Sequence, residues 1–495
     1  MRVADVKRNL YRGSLAAVLR VLLAVPVYVV LTPFTLKYLG HDRFAIWSFN
    51  STIIGLINLT DLGFKNSLLF HCAQNLQDRE KIQRLFGAAL LLYIGLWILL
   101  LVASWALQQQ ITALIGVPRE LRAPAEFVIM ITAAGFGLRF IATPFQSVIE
   151  AHYGVRYSQY VLLMWLLVNA GSTLLVLPLS PDLYALGWVS LASNGLVLLA
   201  FYFYVRRKLP FLGLRALSWE AGAARSLLKY GFGIYIATVM ITLREPICKI
   251  FLSRHFGLPE VADFDIAFRL CTQIVSAVIS PLLGTFAAAA VLSKRPAELV
   301  TVLRPLCGFT LLVLTPLTLF LMSFSSSLVT LWLGPSGAAV AALLPWMFAA
   351  FAVYYSTEVL YQALLGSGWS NYSALVQGLN LAIMLLCLCL TQGRGPIASV
   401  AVSLLAGFSA FSIANLIAFR RRVSRLSLFG PGRLLLFACP SLAYGGMLLI
   451  VGAQPAVLVP AFVVYVAVHL AVAKHAGIAD SVAMIRSLIP RVARA

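Results

Sequence analysis

Fourteen stretches of this 495-residue chain are each apolar over roughly the 20 residues that a helix needs to cross a bilayer. They lie near 13–36, 44–73, 85–107, 124–149, 158–179, 184–205, 229–253, 264–292, 302–325, 342–366, 372–392, 397–419, 434–452 and 457–473. With 61% of residues apolar and 11% charged, a soluble globular domain is excluded. The runs are too long and too evenly apolar for barrel strands, whose alternating signal is weak. In lipid the backbone must satisfy its own hydrogen bonds. The fold class that follows is an all-α polytopic membrane protein of about 14 transmembrane helices.

Orientation follows from the loops, because Lys and Arg concentrate on the cytoplasmic side. With the N-terminus inside, cytoplasmic ends and loops hold 26 of the 38 basic residues. Six lie outside (Lys37, Arg43, Arg119, Arg122, Arg254 and Arg394) and six fall within membrane segments. An even number of spans then puts both termini in the cytoplasm. The net charge of +21 is on this reading a topology signal joined to attraction for anionic lipid. It does not point to nucleic acid, for which no basic soluble domain exists. Met1 to Arg12 is polar and basic and leads into a span too long for a signal-peptide core, so it reads as a retained first helix. All seven cysteines lie in or beside membrane segments. Cys387 and Cys389 have no neighbouring His or acid, so neither a metal site nor any other cofactor is expected.

The longest loop, between Arg206 and Lys229, divides the chain into an N-terminal six-helix half (1–205), a cytoplasmic linker (206–228) and a C-terminal six-helix half (229–419). Residues 420–495 add a basic loop, two accessory helices and a cytoplasmic tail. The halves echo each other. Gly40 and Phe44 match Gly257 and Phe264; Phe145-Gln146 and Tyr157-Ser158 match Tyr361-Gln362 and Tyr372-Ser373, all at separations of 215–220 residues. A nearly constant separation argues for internal duplication. Six spans per half give two repeats of one orientation, the plan of transporters whose halves rock about a central site.

Charge within the bilayer is costly and marks a water-filled path, a partner or a substrate. Six cations lie there, Arg20, Lys65, Arg139, Arg244, Lys249 and Arg269, against three comparably placed acids, Asp61, Glu245 and Glu358. Any one cation can snorkel or pair locally; six together predict a cationic cavity suited to anionic cargo. Asn58, Asp61 and Lys65 share one helical stripe, with Asp61 placed to neutralise Lys65. Tyr235, Thr238, Thr242, Glu245 and Lys249 form a second stripe, expected to line the cavity, and Pro246 is expected to kink that helix. Arginine also grips phosphate oxygens two at a time. Asp61, Glu245 and Glu358 are the candidates for H⁺ or Na⁺ coupling, Glu358 foremost because its own helix offers no cation. No phosphate-cradling Gly loop with its Lys occurs, and the outer loops are short, so neither ATP hydrolysis nor other catalysis is expected.

Asn9-Leu10, Lys37-Tyr38-Leu39-Gly40, Phe44-Ala45-Ile46-Trp47 and Asp61-Leu62-Gly63 together resemble the polysaccharide (Wzx-type O-antigen) flippases of the multidrug/oligosaccharidyl-lipid/polysaccharide exporter superfamily. Lys249-Ile250-Phe251-Leu252 through Phe256-Gly257 to Ala267-Phe268-Arg269-Leu270 is similar to the start of their second half. The resemblance implies a flippase in the bacterial inner membrane. Its cargo would be a polyprenyl-pyrophosphate-linked oligosaccharide for polysaccharide or lipopolysaccharide O-antigen synthesis, moved by alternating access of the two halves. Membrane lipids and glycan polymerase or assembly proteins would be its partners. A lipid II flippase shares this chemistry, and an organic-cation exporter of the same superfamily should instead have an acidic cavity. A membrane polymerase, or a scaffold of a glycan assembly complex, is the reading from another class.

Overall fold

The computed structural model describes residues 3–58, 64–75, 77–152, 154–212, 232–292, 296–366, 370–422, 431–451 and 455–475. Among them there is no strand. Nine helical stretches of the described residues are long and apolar enough to cross a membrane, and two of these, 23–55 and 310–364, each run over parts of two expected segments. The chain divides into two compact units, Met1–Ala262 and Asp263–Ala495.

The first unit comprises Val3–Asn58 (α1), Phe64–Gln74 (α2), Arg79–Ile115 (α3), Arg122–Ala151 (α4), Val155–Val176 (α5), Leu183–Lys208 (α6) and Phe232–His255 (α7). The seventh expected span, placed by the sequence in the second half, thus falls by its contacts in the first unit. Two helix starts are fixed by aspartates: Asp78 accepts from the Lys81 N–H at 2.9 Å and Asp182 from the Ala185 N–H at 2.7 Å. Each satisfies one of the donors a first turn leaves open. Arg206, Arg207 and Lys208 occupy the last turn of α6, where the helix dipole favours cations. The core is aromatic, with edge-on pairs Phe86–Phe145 and Tyr93–Phe140 at 5.1 Å each.

Between membrane helices, small residues permit close approach. At Gly135 an added Cβ would sit 3.3 Å from Cα of Leu191, which is how closely α4 and α6 run. At Gly137 it would sit 1.6 Å from Cδ1 of Trp97, so the indole of α3 occupies the space a side chain would take. Gly137→Ala should therefore destabilise the unit by about 1–3 kcal/mol, the usual cost of overpacking. Adding Trp97→Leu should recover most of the loss, and a thermal double-mutant cycle in detergent measures the coupling.

Leu258–Leu292 (α8) starts at the end of the first unit and continues into the second. There follow Pro296–Leu333 (α9), Ala338–Ser356 (α10), Glu358–Gly366 (α11), Ser370–Thr391 (α12), Pro396–Arg422 (α13), Pro431–Val451 (α14) and Pro455–His475 (α15). The tenth expected span, 342–366, is two helices interrupted at Thr357. By contrast α7 runs as one helix through Pro246. The accessory pair docks on α9 through polar aromatics: Ser323 Oγ and Tyr444 OH lie 3.0 Å apart, and Tyr444 stacks on Tyr465 at 4.9 Å.

The two repeats share backbone and side-chain features. Gly40 (φ 73°) interrupts α1 and Gly257 (φ 127°) separates α7 from α8; Gly116 (φ 75°) follows α3 and Gly334 (φ 66°) follows α9. These are left-handed positions that glycine tolerates, recurring at the same place in each repeat. Side chains repeat as well. Tyr157 donates to the Ala200 carbonyl at 2.8 Å, and Tyr372 to Asn415 Oδ1 at 3.3 Å. Each of these bonds ties the fifth helix of its repeat to the sixth across 43 positions.

Candidate anion site

The six membrane cations do not share one environment. Lys249 on α7 is fully buried, with Nζ 2.7 Å from Glu245 Oε1 one turn earlier and 2.9 Å from the Ser48 carbonyl of α1. Its ammonium also lies 6.0 Å from the centre of the Phe49 ring. Thr242 of the same stripe reaches within 3.4 Å of a Cβ built at Gly55. The Lys249 end of the polar stripe is therefore a helix–helix joint between α7 and α1, whereas Thr238 at the other end is exposed. Arg254 reinforces this side of the unit by donating to the Leu114 carbonyl at 2.8 Å.

Arg269 on α8 is neutralised within its own helix, Nε lying 2.7 Å from Asp265 Oδ2. Asp265 is buried and was not among the three acids counted within the membrane, so the cation excess is smaller than the sequence count made it. The i, i+4 spacing of Asp265 and Arg269 was the signal that could have found it. Arg244 is buried on α7. Lys65 is half-buried on α2, and its carbonyl accepts from Ser147 of α4 at 3.3 Å. Asp61 lies outside the described residues. Glu358 is buried in the first turn of α11, where Gln362 Nε2 donates to it at 2.7 Å and the helix N-terminus favours negative charge.

Arg20 and Arg139 are different. Arg139 projects from the middle of α4, and its guanidinium carbon lies 4.5 Å from the centre of the Trp165 ring on α5. Arg20, on α1, is near enough for the two positive charges to repel. Neither arginine has a carboxylate partner among the described residues. Three N–H groups here, Arg20 Nε, Arg139 Nη1 and Trp165 Nε1, are buried without an acceptor. Two like charges in a low-dielectric setting disfavour each other, and buried donors without acceptors cost more. One dianionic or pyrophosphate-like group among α1, α4 and α5 would relieve both costs. Trp165, which the sequence reading passed over, holds the Arg139 plane by cation–π attraction. Its signal was faint, a single aromatic among apolar residues of the fifth span.

The profile of a family described as "Polysaccharide biosynthesis protein" matches residues 38–342. A relative from Bacillus subtilis (strain 168), described as the uncharacterized membrane protein EpsK, is 21% identical over 337 residues. That match spans 65% of this chain and 65% of the relative's length. Among solved structures, an inward-facing multidrug resistance MATE family transporter of the MOP superfamily superposes with a TM-score of 0.70 at 15% identity, covering 82% of this chain and 98% of its own. A point mutant of the Vibrio cholerae MATE transporter VcmN gives 0.62 at 14% identity, covering 86% and 98%. The fold is the MATE transporter fold, made of two halves.

Proposed function

The chain belongs to the polysaccharide biosynthesis protein family, and from that premise we propose that it flips a polyprenyl-pyrophosphate-linked oligosaccharide from the inner to the outer leaflet of a bacterial inner membrane. The observation that carries this reading is the Arg20–Arg139–Trp165 cluster, cationic and rich in buried donors without acceptors. Paired guanidinium groups suit a pyrophosphate, whose oxygens they take bidentately. They do not suit an organic cation, which would be repelled. The MATE transporter fold supports alternating access, and the loop charges support cytoplasmic termini.

The test is a leaflet assay in proteoliposomes loaded with a fluorescent polyprenyl-pyrophosphate oligosaccharide. Wild-type protein should expose the probe to an external quencher, and a polyprenyl monophosphate without sugar should move more slowly. Transport of a lipophilic organic cation, with no movement of the pyrophosphate lipid, would overturn the reading.

Coupling to an ion gradient is proposed to use Glu358, buried at a helix start where its span is broken. Glu358→Gln imitates the protonated acid while keeping its hydrogen bonding. It should leave the protein folded and remove the dependence of flipping on an imposed H⁺ gradient. An unchanged dependence excludes Glu358.

A further inference from the structure

The second unit carries a groove of about 470 Å³ along its flank, between α10 and the start of α13. This is the size of a small-molecule pocket, about 300–1,000 Å³. Its walls are almost wholly apolar, built by Trp346 of α10 and by Ala398, Ala401, Val402 and Leu405 of α13. Trp346 and Val402 are exposed at 49% and 42%, although both lie in membrane-spanning helices. The groove is therefore open on its lipid side. At its mouth stands Arg394, in the short turn between α12 and α13. Arg394 is exposed and has no ion-pair or hydrogen-bond partner among the described residues. No acid is near it in the sequence, the closest being Glu358 and Asp480. Among the described residues, the turns 334–337 and 392–395 contain Arg394 as their one charge.

An apolar slot that begins at a membrane-interface turn and descends along two spans is shaped for an alkyl chain. A lone cation at its mouth selects the head group above that chain. We propose that this groove is a resident binding site for an anionic phospholipid, with one acyl chain against Trp346, Ala401 and Val402 and the phosphate on Arg394. Trp346 fits this role, because indoles prefer sites where hydrocarbon meets polar groups. The groove is open beside Arg394: a Cβ built at Gly395, which lines it, would touch nothing within 4 Å. The site requires only that the chain spans a membrane, and it is independent of the cargo.

Native mass spectrometry of the full-length protein, supplied with equal amounts of phosphatidylglycerol and phosphatidylcholine of identical acyl chains, tests the proposal. Wild-type protein should retain phosphatidylglycerol with about fivefold preference, the discrimination expected of one basic residue at an anionic surface, near 1 kcal/mol. Arg394→Gln should bring the two lipids to parity. Val402→Trp, which fills the groove from its exposed side, should reduce bound phospholipid of both kinds. Arg84→Gln, an exposed arginine of the first unit, should change nothing. Millimolar inorganic phosphate should not displace the lipid. Equal retention of both lipids by wild type, an Arg394→Gln variant that keeps the preference, or displacement by phosphate alone would each overturn the proposal.

Discussion

Arg139→Ala should reduce flipping of a pyrophosphate-linked oligosaccharide by at least about thirtyfold, measured as the initial rate of probe exposure in proteoliposomes. Removing one member of a buried charge pair costs roughly 2–5 kcal/mol, and each 1.4 kcal/mol is about a factor of ten. Arg139→Lys keeps the charge but loses the planar fork and much of the stacking on Trp165, so it should recover only part of the rate. Arg269→Gln is the contrasting case. That guanidinium already has the Asp265 carboxylate as a counter-charge at 2.7 Å, and its loss should affect transport far less.

Stability separates this account from a merely structural role for the arginines. Arg20 and Arg139 repel each other without cargo, so Arg20→Ala should leave the empty protein as stable as wild type or more stable while slowing transport. Such an exchange of stability against activity is expected where a site is held in a strained state for function. An Arg20→Ala variant that loses both stability and transport would place Arg20 in the framework instead.

Glu245→Ala should have the largest effect on folding. Lys249 is fully buried, and the substitution would remove the carboxylate 2.7 Å from its ammonium. Only the weaker dipoles of the Ser48 carbonyl and the Phe49 ring would remain of the contacts described above. Breaking a buried ion pair from one side costs about 3–5 kcal/mol, whereas replacing both partners by apolar groups is often neutral. The Glu245→Leu/Lys249→Met protein should therefore survive heating in detergent better than Glu245→Ala alone, as judged by the monodisperse fraction on size exclusion. A double variant as unstable as the single one would mean that these side chains are held by something other than each other.

Much of the architecture was legible in the chain because the bilayer imposes it. Spans of apolar residues specify helices, since only helices and closed barrels satisfy a backbone in lipid and these runs are too long and too evenly apolar for barrel strands. The repeated Gly40 and Gly257, and Tyr157 and Tyr372, marked the duplication because each needs a particular residue type at one place in its repeat. Pairing within a helix was also readable, as Lys249 with Glu245 shows. Asp265 and Arg269 obey the same i, i+4 rule. The interruption at Thr357 carried no comparable mark.

What the sequence could not decide is which cations remain without a counter-charge. Their count is a property of composition, but their neutralisation depends on partners brought together by packing. Ser48 and Lys249 are 201 positions apart and meet only because α1 and α7 pack together. Likewise Arg20, Arg139 and Trp165 lie on three helices of ordinary apolar character, and no period within any one helix points to the others. Helical periodicity reports on one helix at a time. The meeting of one arginine stacked on an indole with a second positive charge is a property of three helices packed side by side, and it came only from the tertiary structure.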